Sequence, residues 1–525
     1  MTASFKQKII LGLLLSGIFV LNFIGLHHKG LTYDESRHFM YGLNVLNGNT
    51  DRFDDSKMPF SAINAIPHKI WDALNNTPLQ KPLKKLEKER TGRWFTILFS
   101  ILVGFFVYRW ACALYGITAG LWALLFYTFE PNILAHSRLV TTDTYCMGMI
   151  LISLFYFRKY LNQGGFKNQA VSAITLGLAQ LAKFTCVFLY PLFLVIAFLF
   201  HLKNLKNQFK PFLKSFAFFI LINLFIINTG YLFNRTLTPL QKYEFKSQIF
   251  QTLQEKSGSL ARIPMPLPAP FIEGLDWVKH NDESGQGFGL FYLLGKTNRS
   301  DGFPGYFLIA SLFKIPIAML IFILLGCFCY FRKFKFDAFL KEGVFLWVPI
   351  LFFTFYFNFL FKSHAGMRFF IVVLPLLYVL AASLFQNWGF LSKRVKTVYS
   401  FLAVYYVISV LSYTPHYLSY FNEFIGARKN AYKFLADSNI DWGENDWYLQ
   451  KYLEKHPNAI VNPNTPTTGK IIVNVNQLTG VTIAPEHYAW LRNHYKPVGH
   501  IAYSYLIFDV PLEDKDKIFE TAQSR

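Results

Sequence analysis

What most constrains this chain is a succession of apolar runs, each roughly 20 residues long, the length a helix needs to cross a bilayer. Their boundaries fall near 9–26, 93–113, 117–134, 143–160, 170–186, 187–202, 213–233, 305–330, 343–361, 367–386 and 397–413. That makes about eleven spans, expected as helices because a helix satisfies its own backbone hydrogen bonds in hydrocarbon. Composition agrees: 53% of the residues are apolar and only 16% charged, where a soluble protein carries about a quarter charged. Disorder is excluded, since 58 Phe, 29 Tyr and 10 Trp supply ample surface to bury. The chain reads as a polytopic α-helical membrane protein.

The formal charge of +21 would suggest nucleic acid in a soluble domain. Here much of the excess sits in short loops: Arg158, Lys159 and Lys167; Lys203, Lys206, Lys210 and Lys214; Arg332, Lys333, Lys335 and Lys341; Lys393, Arg394 and Lys396. With a cytoplasmic N-terminus all of these fall inside, as the positive-inside rule requires, and no nucleic-acid partner is expected. Long loops are exempt, so the cationic stretch Lys81 to Arg93 is no contradiction. Lys6 and Lys8 ahead of Ile9 to Leu26 could be a signal peptide, but the apolar stretch is long and lacks a small-residue cleavage site. It is read as a retained first span. Cys112, Cys146, Cys186, Cys327 and Cys329 all fall in spans, so neither a disulfide framework nor a thiolate metal site is expected.

Two segments follow from this topology. Residues 1–413 form the transmembrane part, with long outer loops over 27–92 and 234–304; residues 414–525 form a small extracytoplasmic α+β domain. In that domain Asn430 to His456 is expected to be largely helical, Gly469 to Val475 and His500 to Val510 to be strands, and Pro463–Pro466 a loop. The stretch Ser36–Leu46 is amphipathic and is expected to lie at the interface as a helix.

Ionisable groups at membrane depth are costly and mark candidate sites. Asp34 and Glu35 follow the outer end of the first span; Arg93, Asp143 and Arg368 each begin a span on the outer side. His136 and Arg138 share a short outer loop, and Lys183, thirteen residues into the fifth span, is carried roughly 20 Å toward the outer face by a rise of about 1.5 Å per residue. Lys314, about nine residues into the eighth span, needs a carboxylate, carbonyls, water or a lipid phosphate as partner, unless it snorkels outward. Carboxylates and cations thus converge on one face. The set suits a transfer reaction there: a carboxylate as base on an acceptor hydroxyl, with Arg93, Lys183, Arg138, Lys314 and Arg368 as candidates to hold a phosphate. His38 and His136 are candidates for the acceptor side. Asp437, Asp441 and Trp442 could bind a glycan by carboxylate hydrogen bonds and stacking, or could be a structural junction. Asp34, Glu35 and Asp143 could equally be helix-capping acids. No close-spaced ligand set matches a zinc or calcium motif, a divalent ion bridging the three carboxylates has no support, and no cofactor is expected.

The motifs resemble a known family. Tyr33-Asp34-Glu35-Ser36-Arg37-His38, directly after the first span, resembles the family 39 glycosyltransferases of the GT-C superfamily, which include protein O-mannosyltransferases and aminoarabinose transferases acting on lipid A. The run Pro131 to Asp143, Leu181-Ala182-Lys183-Phe184-Thr185, Tyr292 to Lys296, Phe313 to Pro316, Gly366 to Phe369, Tyr417 to Glu423 and Asp437 to Glu444 match an uncharacterised bacterial branch in consistent order. Glu444 departs from the pattern, where Gln is expected. The resemblance implies a GT-C-like fold and a polyprenyl-phosphate-linked sugar as donor, undecaprenyl phosphate in a bacterium. The sugar passes to an acceptor protein, lipid or glycan hydroxyl on the outer face of the cytoplasmic (inner) membrane. It implies Asp34 as base, Glu35 shaping the acceptor site, Asp143 near the anomeric centre, Arg93 and Lys183 on the phosphate, and inversion if one displacement occurs. Two other classes remain open on sequence: a flippase or transporter, which asks for mid-membrane charges and often structural repeats, and a non-catalytic scaffold, in which Asp34 and Asp143 are dispensable.

Overall fold

The computed structural model describes residues 4–26, 29–49, 57–73, 88–285 and 289–514; most of the Lys81 to Arg93 stretch lies outside these. The N-terminal part is a bundle. Helix α1 is Phe5–Ile24, α2 Glu35–Leu46, α3 Ser61–Ala73, α4 Lys88–Tyr115, α5 Ile117–Thr128, α6 Pro131–His136, α7 Asp143–Gln163, α8 Phe166–Gln180, α9 Leu189–Phe200 and α10 Leu205–Gly230. The next segment folds as α11 (Gln248–Lys256), α12 (Ala269–Ser284) and the hairpin β1–β2 (Phe291–Leu293, Lys296–Asn298). The bundle resumes with α13 (Tyr306–Lys314), α14 (Ile317–Arg332), α15 (Phe336–Ala338), α16 (Val344–Phe355), α17 (Leu374–Ala381) and α18 (Lys393–Leu411).

Among the described residues five helices are long and apolar enough to cross a membrane: 5–24, 90–115, 213–230, 336–360 and 393–411. Four shorter apolar helices lie at 117–128, 184–200, 317–332 and 374–385. The remaining two expected spans fall on α7 and α8. Small residues let these helices approach closely. A Cβ on Gly104 would come within 2.8 Å of Ile18, and one on Gly148 within 2.4 Å of Val103, so α1, α4 and α7 pack with little side chain between them.

Two spans differ from the sequence expectation. The eighth is broken between Lys314 and Ile317: Ile315 is extended and Pro316 offers no N–H to continue the ladder. The carbonyls freed by the break are taken by side chains, Leu312 and Ile315 by Asn422 at 2.6 and 2.7 Å and Lys314 by Asn132 at 2.9 Å. The fifth span ends at Gln180, so Lys183 is not on a helix but on an extended link before a short 3-10 turn.

The C-terminal segment carries α19 (Asp446–Leu453), β3 (Ile460–Val461), β4 (Gly469–Asn474), α20 (Val475–Leu478), α21 (Ala489–His494), β5 (Gly499–Ile501) and β6 (Tyr505–Val510). The sheet order is β3-β4-β6-β5, with β4 and β5 antiparallel to β6 and β3 parallel to β4. The strand expected over His500–Val510 is a hairpin turning at 502–504. The helix expected over Asn430–His456 is confined to α19; 428–433 and 437–439 are 3-10 turns. Here the backbone is spent on other segments. Lys314 binds the Asn439 carbonyl, Ser419 that of Ile440 and Asn476 that of Asp441, while Tyr33 and Gly30 amides donate to Trp442 and Glu444. A helix would have consumed those carbonyls itself.

Candidate active site

Asp34 and Glu35 are adjacent but face different partners. Glu35, the first residue of α2, has a side chain with 0% exposure, as has Arg93 on α4. Its Oε1 accepts from Arg93 Nε at 2.8 Å and the Val140 amide at 3.0 Å; its Oε2 accepts from Arg93 Nη2 at 2.5 Å and the Thr32 amide at 2.9 Å. Arg93 also donates to the Gly30 carbonyl at 2.7 Å. The two residues expected to shape the acceptor and hold phosphate are therefore committed to each other. Together they fasten the segment between α1 and α2, α2 itself, α4 and the link ahead of α7. That lock fixes Asp34 on one side and, three residues past Val140, Asp143 on the other.

Asp34 stands at the N-terminus of α2, and its Oδ2 accepts from Arg368 Nη1 at 2.8 Å. Asp143 begins α7, and its Oδ1 accepts from Lys183 Nζ at 2.5 Å. Side-chain exposures of 28% and 12% for Asp34 and Arg368 leave that pair partly accessible, and the second is reached through Lys183 at 19% while Asp143 is at 4%; the Glu35–Arg93 pair is sealed. One ring joins the two pairs: Lys183 Nζ lies 4.6 Å from the centroid of Phe369, and the Arg368 guanidinium 5.0 Å from it. Arg368 also stacks on Trp442 at 4.4 Å and lies in the field of Asp34, Asp143 and Asp437. Burial alone would raise the Asp34 pKa, but Arg368, with Lys57 and His38, outweighs it and holds the carboxyl below its usual range.

Other expected site residues divide into rim and scaffold. His136 packs edge-on against Trp442 at 5.9 Å, and burial pushes its pKa down to about 4, Asp143 offsetting only part of this, so the ring is neutral. Asp437, at the N-terminus of a 3-10 turn with φ +59, faces Arg368; burial raises its pKa. His38 is buried 3.2 Å from Ser61 Oγ. Arg138 is buried against Gly25 and Tyr417 and donates to the Pro415 carbonyl at 2.9 Å. Lys314 donates to the Leu418 and Asn439 carbonyls, both at 2.7 Å, and packs on Phe421. Of the partners open to it on sequence, carbonyls are the ones it has. Asp441 is buried and accepts from Asn474 at 3.0 Å, its pKa raised to about 6 by burial and Glu444. Asp441 is thus fastened within the C-terminal segment, while Arg138 and Lys314 tie that segment to the bundle.

A buried network that the sequence reading missed does the same. Lys29 Nζ is 2.9 Å from His416 Nδ1, 3.4 Å from Glu444 Oε1, and donates to Asn445 Oδ1. Burial brings the Lys29 amine down to about 8. The departure at Glu444 was its one visible signal: an acid where Gln is expected calls for a cation, and Lys29 supplies it. Among the described residues no group of three or more His, Cys, Asp or Glu is placed to hold a metal ion.

Residues 84–227, which carry Arg93, Asp143 and Lys183, match the model of the dolichyl-phosphate-mannose-protein mannosyltransferase family. This bears out the family resemblance read from the motifs. No curated protein matches the chain. Among solved structures, ArnT from Cupriavidus metallidurans bound to undecaprenyl phosphate is similar at 12% identity and a TM-score of 0.48, over 94% of this chain and 97% of that one. The archaeal oligosaccharyltransferase AglB from Archaeoglobus fulgidus, in complex with an inhibitory peptide and a dolichol-phosphate, is similar at 13% identity and a TM-score of 0.46, over 78% of this chain and 55% of that one.

Proposed function

We propose that this multi-pass membrane protein is a GT-C glycosyltransferase that moves a sugar from a polyprenyl-phosphate donor to an acceptor hydroxyl at the outer face of the cytoplasmic membrane. The family match supports the reaction class. The observation that carries the site is the pair of partly accessible carboxylate–cation contacts, Asp34–Arg368 and Asp143–Lys183, whose cations both lie against Phe369.

In this reading the donor phosphate lies against Lys183 and Arg368, with its polyprenyl tail between helices. Arg368 engages Oδ2 of Asp34, and Oδ1 takes the proton of the acceptor hydroxyl. The acceptor oxygen bonds to the anomeric carbon as the bond from that carbon to the phosphate oxygen breaks. The bonding pair leaves with the phosphate, where the two cations stabilise it. Asp143 holds Lys183 in place and sets a negative charge beside the sugar carbon as positive charge develops there. Neutral His136 adds no cation to compete for the carboxylates. Glu35, Arg93, Arg138 and Lys314 act through the scaffold. The N-terminus is cytoplasmic, and the segment from 414 onward is an extracytoplasmic domain that helps choose the acceptor.

One displacement inverts the anomeric centre. The test is full-length protein in liposomes, given synthetic polyprenyl-phosphate sugars with a panel of hydroxyl acceptors: a Ser/Thr peptide, lipid A and an oligosaccharide. Polyprenyl phosphate released in proportion to glycosylated acceptor, with opposite anomeric configuration by NMR, is the expected result. A retained configuration would overturn the single displacement.

A further inference from the structure

Tyr33, the residue before the proposed base, is the other half of this site. Its backbone is fixed, the amide donating to the Trp442 carbonyl at 3.2 Å. Its phenol lies against Gly443, where an added Cβ would meet the ring at 3.0 Å; Gly443 has φ +88, a conformation that favours glycine. The ring is thus held by the C-terminal segment, yet the residue stays 69% exposed. Trp442, the next residue back, stacks on Arg368, which binds Asp34. Tyr33, Gly443, Trp442, Arg368 and Asp34 therefore close a circuit, with an exposed aromatic residue one position along the chain from the carboxylate that must meet an incoming hydroxyl.

The surroundings say what such a face receives. Tyr33 lies in the field of Asp441, Glu444 and Asp446. Asp446 is exposed and accepts the Tyr505 hydroxyl at 2.6 Å. Of the three only Asp446 is exposed, Asp441 and Glu444 being buried on Asn474 and Lys29, and an exposed acid beside an interfacial tyrosine repels anionic headgroups. A flat apolar face with one exposed carboxylate in its field suits a sugar ring: the ring's C–H face stacks on the phenol while a hydroxyl donates to Asp446.

We infer that Tyr33, with Asp446, forms the acceptor subsite, and that the acceptor presents a saccharide ring, its reactive hydroxyl directed to Asp34. This rests on the transferase reading and adds the chemical class of acceptor.

The test uses full-length protein in nanodiscs with methyl pyranosides as probes, read by saturation-transfer NMR, and polyprenyl phosphate affinity measured on the same samples. Wild type should saturate the C–H protons of one pyranoside face. Tyr33→Ala should weaken this contact at least tenfold, Tyr33→Phe and Tyr33→Trp should retain it, and all three should bind polyprenyl phosphate as wild type does. Pyranoside contact unchanged in Tyr33→Ala, or none in wild type, overturns the subsite; so does an effect of Tyr33→Ala on a Ser/Thr peptide alone. Wild type failing to bind polyprenyl phosphate overturns the transferase reading instead.

Discussion

The two adjacent carboxylates divide their labour, and Glu35→Gln separates them. The glutamate accepts four hydrogen bonds, two from Arg93 and one each from the Thr32 and Val140 amides. A glutamine of the same shape turns one oxygen into a donor facing two donors. Each buried donor left without a partner costs about 1–3 kcal/mol, and the Arg93 charge also loses its counterion inside the fold. Breaking a buried pair in this way typically costs about 3–5 kcal/mol. Glu35→Gln is therefore expected to lower the apparent Tm in detergent markedly, while the fraction that remains folded turns over at close to the wild-type rate. Asp34→Asn, at an accessible site, should do the reverse and keep Tm while losing turnover. The assays are thermal unfolding by tryptophan fluorescence and donor turnover per folded molecule. A Glu35→Gln protein with unchanged Tm, intact donor binding and no turnover would refute the reasoning and move the base to Glu35.

Lys183→Met should remove a charge-assisted contact to the donor phosphate, worth about 1.5–3 kcal/mol; polyprenyl phosphate titration should show a Kd weaker by about 10- to 150-fold. Arg368→Gln should move the acid limb of the pH–rate profile to higher pH. The sign follows from Asp34: its carboxyl is depressed because Arg368, with Lys57 and His38, outweighs burial, so activity is held until pH falls below the usual carboxylate range, and without the guanidinium only Lys57 and His38 oppose burial and the pKa rises. Lys29→Met should cost about 3–5 kcal/mol by stranding Glu444, and Lys29→Met with Glu444→Gln should recover most of the lost Tm, a non-additivity that a double-mutant cycle measures.

What the sequence made legible was the periodic part. Apolar runs marked most of the segments that are bundle helices, because a span is a property of some twenty consecutive residues. The convergence of Asp34, Asp143, Lys183 and Arg368 was also readable, since each lies at a span end on the same side. The assignment of partners was not. Asp34 and Glu35 are equivalent as letters, and only the turn of α2 sends one to Arg368 and the other to Arg93. Likewise Arg93 and Lys183 are both cations near the end of an apolar run, but one is sealed and the other is 19% exposed. The expected helix around Asp437–Glu444 failed because five of its carbonyls serve four other segments, a tertiary demand that local propensity does not register. Lys29 escaped notice because its partners, His416, Glu444 and Asn445, lie far along the chain.

The central claim is that Asp34 takes the acceptor proton during transfer from a polyprenyl-phosphate sugar. Single-turnover transfer, with donor prebound and its affinity measured separately, tests it most directly. Wild type should release polyprenyl phosphate and glycosylate the acceptor; Asp34→Asn should bind donor normally yet lose at least 100-fold in rate, the low end of what a positioned base contributes, about 10²- to 10⁴-fold. An Asp34→Asn protein that transfers as fast as wild type would contradict the account.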